Sequence, residues 1–192
     1  MEEVVVTGMG CVSALGNTPE ILWENLLAGK SGVTTITHFD TSAYEVHFAA
    51  EVKEFDASPY FNDRDQKRYS RNIQYAVSAA SDAVKNSGLN VDSLDKSRAG
   101  VILASGMGGM DVYYDTSATL SNKGPRRVSP FFIPMAITNM AAGEVSIRFG
   151  FMGPNFTTTS ACASSNHALI AAADQIRLGR ADVMLAGGSE ES

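Results

Sequence analysis

"NFTTTSACASSNHALIAAADQIRLG" (residues 155–179) decides how the chain is read. Asn155 to Ala161 is a β-branched run of strand character, and the small and apolar residues after it have the length and composition of a helix. Cys162, one of only two cysteines, falls at the junction. The first turn of a helix offers unpaired N–H groups and a positive dipole end, which favour thiolate over thiol. Ser160, Ala161, Ala163, Ser164 and Ser165 are small enough to let a substrate approach, and the same amides suit the oxyanion of an attacked thioester or ester. A free cysteine is equally a common packing residue, so local features leave nucleophile and core cysteine both open. His167 lies five residues on, roughly 500° around a helix, and reads as a helix-face residue rather than the base for Cys162.

Working outward, strands and helices alternate. "EVVVTGMG" (3–10), "RAGVILASG" (98–106), "NFTTTSA" (155–161) and "ADVMLAGGSE" (181–190) read as strands apolar on both faces. Between them, Thr18, Pro19 and Gly29 bound one helix. A second is expected from Asn62 to Ser87, closed by Gly88, and a third from Phe131 to Phe149. Residues 30–59 read as a surface excursion, and 111–130, broken by Gly124-Pro125, as loop with room for a short helix inside it. The pattern predicts an α/β fold, a mostly parallel sheet flanked by helices. The last strand ends close to residue 192 with nothing after it to cover it, which suggests a fragment or half of a larger fold.

With 192 residues and 44% apolar composition the chain is a globular protein, not a disordered one. Its longest apolar runs are too short to span a bilayer, and Met1-Glu2-Glu3 has no secretory character, so no membrane partner is expected. Two cysteines and three scattered histidines match no metal-site spacing. A net charge of −6 argues against nucleic acid. "VVVTGMGCVS" (4–13) resembles a dinucleotide-binding turn, but Ser13 replaces the third glycine and no acidic residue closes a second strand about 20 residues on, so a plain tight turn fits better.

Two basic segments stand out on this acidic chain. Arg64, Lys67, Arg68 and Arg71 are spaced to form one stripe on a continuous helix, and Arg126 and Arg127 follow in a loop. The plain reading is a solvated face; the alternative is docking of an acidic partner by electrostatic attraction.

"VVVTGMGCVSALG" (4–16), "SGMGG" (105–109), "SPFFIPMAITNMAAG" (129–143), "GPNFTTTSACASSNHA" (153–168) and "ADVMLAGGSE" stand in the order and near the spacing of the N-terminal half of the β-ketoacyl-[acyl-carrier-protein] synthases, and the chain most resembles the elongating type, synthase I and II. The resemblance runs from Val4 to Glu190 and implies a thiolase-like layered fold of two similar α/β halves, of which residues 1–192 would be the N-terminal one and the C-terminal half absent. It implies a condensing enzyme of fatty-acid biosynthesis, an acyltransferase. Cys162 matches the family's nucleophile at the start of a buried helix; it would take an acyl group from acyl carrier protein for decarboxylative Claisen condensation with malonyl carrier protein. Met107 and Phe132 match acyl-pocket positions, Phe132 reaching the partner's pocket of a homodimer in which the "NFTTTSA" strand pairs across the two-fold axis. Arg64, Lys67, Arg68, Arg126 and Arg127 match the basic positions that receive the carrier protein. No cofactor is implied beyond the phosphopantetheine arm carried by that partner, and the location implied is cytoplasmic or the plastid stroma. Family members run about twice this length and keep their catalytic histidines in the second half, so this chain alone is expected not to condense substrates. The alternative within the family is a non-catalytic half-domain for dimerisation or carrier docking.

Overall fold

The computed structural model describes residues 3–191; Met1 and Glu2, on which the leader reading partly rests, lie outside them. In chain order the elements are α1 (Pro19–Leu27), β1 (Thr34–Thr35), β2 (Phe48–Ala49), α2 (Asp63–Gln66), α3 (Arg71–Ser87), β3 (Ala99–Ala104), α4 (Met110–Lys123), α5 (Phe132–Ala136), α6 (Met140–Phe149), β4 (Asn155–Phe156), α7 (Ser164–Arg177) and β5 (Val183–Gly188).

Every residue of β3 is buried, because both of its edges are paired and both of its faces covered. It runs parallel to β4 (Val101 opposite Asn155) and to β5 (Ala99 opposite Val183 through Ala104 opposite Gly188). Successive side chains alternate between faces. Ala99, Val101 and Leu103 join Ile73, Val77, Ala142 and Val145 of α3 and α6 in the larger core; Ile102 and Ala104 meet Ala168 and Ala172 of α7 in the smaller one. Helices thus cover both sides of the parallel sheet, as the sequence predicts. The α1 boundaries also match: Thr18 Oγ1 caps Ile21 N–H at 3.3 Å, Pro19 opens the helix and Gly29 leaves it left-handed at φ 66°.

Four expectations need correction and a fifth needs extending. Residues 3–10 form no strand, and Val5 and Val6 are 67% and 79% exposed. Strand propensity is realised only against a partner edge, and here the segment lies on α3: Met9 N–H bonds Asn86 Oδ1 at 3.1 Å, while Gly10 sits so close to the Ala79 carbonyl that a side chain would not fit. The helix expected over 62–87 is two helices. Ser70 is extended (φ −63°, ψ 161°), and Gln74 Nε2 donates to the carbonyls of Gln66 and Tyr69 at 2.9 Å each, satisfying the end of α2. The helix expected over 131–149 breaks at extended Ile137 into α5 and α6. The short helix allowed for within 111–130 is the 14-residue α4, which starts at Met110 and takes up most of the stretch, its length masked by polar composition; among its residues only Val112 is buried. The strand expected over 155–161 pairs only at Asn155–Phe156, because Thr158 Oγ1 and Thr159 Oγ1 bond the carbonyls of Ser164 and Ser105, at 2.9 Å each.

Ile73 is fully buried between α3 and the sheet. Ile73→Ala is expected to lower unfolding free energy by about 2–5 kcal/mol in urea titration. Ile147→Ala, at a position 71% exposed, is expected to stay within about 0.5 kcal/mol of the parent.

Candidate functional site

Parallel strands deliver their loops to one end of a sheet, and ligands of such folds gather beyond the carboxyl ends. Here the segments leaving β3 (Ser105–Gly108), β4 (Thr157–Ala163) and β5 (Ser189–Glu191) converge there. They line a cleft of about 790 Å³ that contains Cys162, Met107, Met110, Thr159, Ser165 and Glu190.

Cys162 lies not within α7 but in a 3₁₀ turn, Ala161–Ala163, just ahead of it. Ala161 has φ 51°, the only positive value at a non-glycine residue among the described residues. Such backbone costs about 1–3 kcal/mol and persists only when its surroundings hold it. Ser164, 4% exposed, does so. Its Oγ accepts the Ser160 N–H at 2.7 Å and donates to the Ala161 carbonyl at 2.7 Å, and its own carbonyl accepts Thr158 Oγ1. The bend turns Cys162 outward, and the residue is exposed. The turn uses the N–H of Ala163 (to Ser160 O, 3.2 Å) and of Ser164 (to Ala161 O), but its pattern does not require the N–H of Cys162. Behind it α7 is buried on one face through Ala168 and Ala172, while Leu169 and Ile170 are exposed on the other, so within this chain the helix is only half covered.

His167 pairs with Ser160, Nδ1 to Oγ at 2.6 Å, and does not line the cleft. His167 is thus a helix-face residue of α7, as expected, but Cys162 precedes that helix, so the two are not separated by rotation about one helix axis. Met107 lines the cleft with Cys162 and is 56% exposed. Phe132 does not: it packs edge-on against Tyr113 (centroids 5.4 Å) in a second cleft of about 340 Å³.

The break between α2 and α3 abolishes the expected helical stripe. Arg64 is exposed on α2, Lys67 and Arg68 occupy the turn, and Arg71 begins α3. The turn nevertheless meets the second basic segment. The Arg68 guanidinium lies 4.9 Å from the Phe131 ring centre, and Lys67 and Arg127 line the Phe132 cleft, with Asp111 and Asp115 also on its wall. Arg126 is exposed beside Arg127 in a 3₁₀ turn.

Sequence reading missed the role of Ser164 and of the two glutamates after β5. Glu190 faces the Ser105–Gly108 turn, and Glu191 accepts the Asn72 N–H at 3.2 Å near the start of α3. Burial pushes the Glu191 carboxyl up to about 7, with the Asp111 charge adding to the effect. The only sequence signal for either was a pair of acidic residues directly after an apolar strand.

A parallel sheet covered by helices on both faces is the arrangement this chain shares with thiolase-like α/β proteins. Solved ketosynthases superpose on it. The chain is similar to a chain of the complex of a type II polyketide acyl-carrier protein with its ketosynthase (TM-score 0.87, 26% identity, 100% of this chain and 51% of that one). It is also similar to a β-ketoacyl synthase from Burkholderia phymatum (TM-score 0.84, 28% identity, 97% and 46%). In sequence it is 44% identical to 3-oxoacyl-[acyl-carrier-protein] synthase 2 of Vibrio cholerae, over 98% of this chain and 46% of that protein. With the chloroplastic synthase I of Arabidopsis thaliana it shares 42% identity, over 98% of this chain and 41% of that protein. The chain belongs to the β-ketoacyl synthase family, whose N-terminal domain model matches residues 1–192. It spans less than half the length of these curated relatives.

Glu191 also gives the fold a pH dependence. Its folded pKa lies above the ordinary 4.5, so the folded state binds the extra proton and the associated stability is present at low pH and lost as pH rises from about 4.5 through about 7. Glu191→Gln is expected to match the parent at pH 4.5 and to exceed it at pH 8, by on the order of 1 kcal/mol after discounting for water that screens the half-exposed carboxyl. Denaturant titrations at the two pH values check this; equal differences at both would remove Glu191 as the cause.

Proposed function

We propose that the chain is the N-terminal half of an elongating β-ketoacyl-[acyl-carrier-protein] synthase of fatty-acid synthesis and that Cys162 is its nucleophile. The observation that carries this is the outward bend at Ala161, which presents a small-flanked thiol to a cleft walled by Met107 and Met110. The Cys162 thiolate attacks the carbonyl carbon of an acyl thioester on the phosphopantetheine arm. The carbon bonds to Sγ, the bond to the arm's sulfur breaks, and that sulfur leaves as thiolate to take up the proton lost by Cys162. The Cys162 N–H is suited to the oxyanion formed on the way. No cofactor of the chain's own takes part.

Decarboxylation of a malonyl thioester and its Claisen attack on the acyl group need donors for the developing enolate. Among the described residues no histidine lines the cleft. We therefore assign condensation to the longer protein and expect this chain alone to be acylated without condensing. A chain acting only in dimerisation or carrier docking is the second reading.

The acyl carrier protein is the partner we propose for Lys67, Arg64, Arg68, Arg126 and Arg127, because Lys67 and Arg127 of the two basic segments line one cleft beside the Arg68–Phe131 contact. A homodimer is the assembly we propose, since the outer edge of β4 carries no strand among the described residues. Phe132 would face the partner's pocket rather than its own chain's. Relatives from bacteria and from a chloroplast support a location in cytoplasm or plastid stroma.

Incubation with acyl carrier protein charged with a fatty acyl group, followed by intact-mass measurement, is expected to add one acyl mass to the parent and none to Cys162→Ala. A parent that stays unmodified overturns the nucleophile assignment and leaves the docking reading. Lys67→Glu with Arg127→Glu is expected to weaken carrier-protein binding about tenfold at low salt and to flatten its salt dependence. An unchanged Kd across a salt titration removes the basic surface from docking.

A further inference from the structure

We infer that Glu190 is a positioning residue: by holding the turn that carries Met107, it sets which acyl chain lengths the Cys162 cleft accepts. The inference rests on the reading of Cys162 as the acylated residue.

β3 ends at Ala104, and the chain then turns through Ser105, Gly106, Met107 and Gly108 before α4 begins. Two glycines in four residues leave this turn with wide backbone freedom. Met107 is more than half exposed, so packing does little to fix its side chain. The turn must be held through its backbone. Glu190, 84 positions away in sequence, supplies the hold: its Oε2 accepts the Gly106 N–H at 2.5 Å and the Met107 N–H at 3.3 Å, and its Oε1 accepts Ser105 Oγ at 3.3 Å. Successive amides converging on one carboxylate form a charge-assisted cradle stronger than neutral hydrogen bonds. Ser105 Oγ in turn accepts the Gly108 N–H at 2.9 Å, which closes the turn on itself.

Glu190 is itself anchored on both sides. The Ser189 N–H bonds the Ala104 carbonyl at 2.9 Å, Ser189 Oγ donates to the Asn72 carbonyl at 2.6 Å, and Glu191 accepts the Asn72 N–H. The start of α3 thus fixes residues 189 and 191, and the carboxylate between them fixes Met107. Glutamine in place of Glu190 keeps the shape but removes the charge: its amide oxygen can still meet the Gly106 and Met107 N–H groups, as neutral hydrogen bonds, while its NH2 replaces the acceptor at Ser105 Oγ.

The test compares Cys162 acylation rates for butanoyl- and dodecanoyl-pantetheine thioesters in the parent, Glu190→Gln and Met107→Gly, with amide hydrogen exchange at residues 105–108 read in parallel. Glu190→Gln is expected to speed exchange at Gly106 and Met107 and to change the long-to-short rate ratio about tenfold. Met107→Gly is expected to change that ratio without the exchange effect at Gly106. A Glu190→Gln protein with the parent's ratio overturns the inference even if exchange quickens, since Glu190 would then be structural only. Should Glu190→Gln fail to fold, Gly106→Ala repeats the test, because its Cβ would lie 2.9 Å from Glu190 Oε2 and displace the end of a flexible side chain. Acylation absent in the parent itself defeats the nucleophile reading, and this inference with it; acylation present with an unmoved ratio defeats this inference alone.

Discussion

Parallel pairing on both edges of β3 is the constraint on which the rest depends. Parallel neighbours require crossovers, so the chain must leave each strand at one end and return over a face. The crossover helix α6, together with α3, buries Val101 and Leu103 on one side, and the crossover helix α7 buries Ile102 and Ala104 on the other, which is why β3 has no exposed residue. The same geometry sends every departing segment to one rim, and it is there that Met107, Cys162 and Glu190, distant in sequence, share a cleft.

At that rim the threonines of the β4 segment hold the turn together instead of extending the sheet. Thr158 reaches the Ser164 carbonyl and Thr159 the Ser105 carbonyl, so the path into α7 is tied to both the helix ahead of it and the strand beside it. A ladder of hydrogen bonds along β4 would have kept residues 157–161 straight and carried Cys162 along the strand direction. Stopping the pairing after Phe156 makes the bend possible.

What was legible in the sequence follows from this. The buried strand 99–104 and the ends of α1 carry local signals, an unbroken apolar run and a Thr-Pro start, and both are found where expected. The place of Cys162 at a strand-to-helix junction was legible from its neighbours, although a 3₁₀ turn separates it from the helix. Helical periodicity could not register the break at residues 67–70, since a four-residue interruption is close to one helical turn and leaves the 3.6-residue pattern nearly in phase on either side; the basic stripe built on that continuity was lost with it. The β-branched segment 3–10 had propensity without a partner. Glu190 and Ser164 escaped because their roles consist of bonds to Gly106 and Ser160, partners that no periodic pattern marks.

The left-handed backbone at residue 161 restricts what evolution or an engineer can place there. Alanine tolerates that conformation at a modest penalty, glycine at none, and asparagine or aspartate better than most; valine, isoleucine or threonine would force the peptide toward an ordinary conformation and swing the neighbouring sulfur away from the cleft. Divergence beside the cysteine is therefore channelled toward small residues by backbone geometry, even where a substrate would leave room for larger ones.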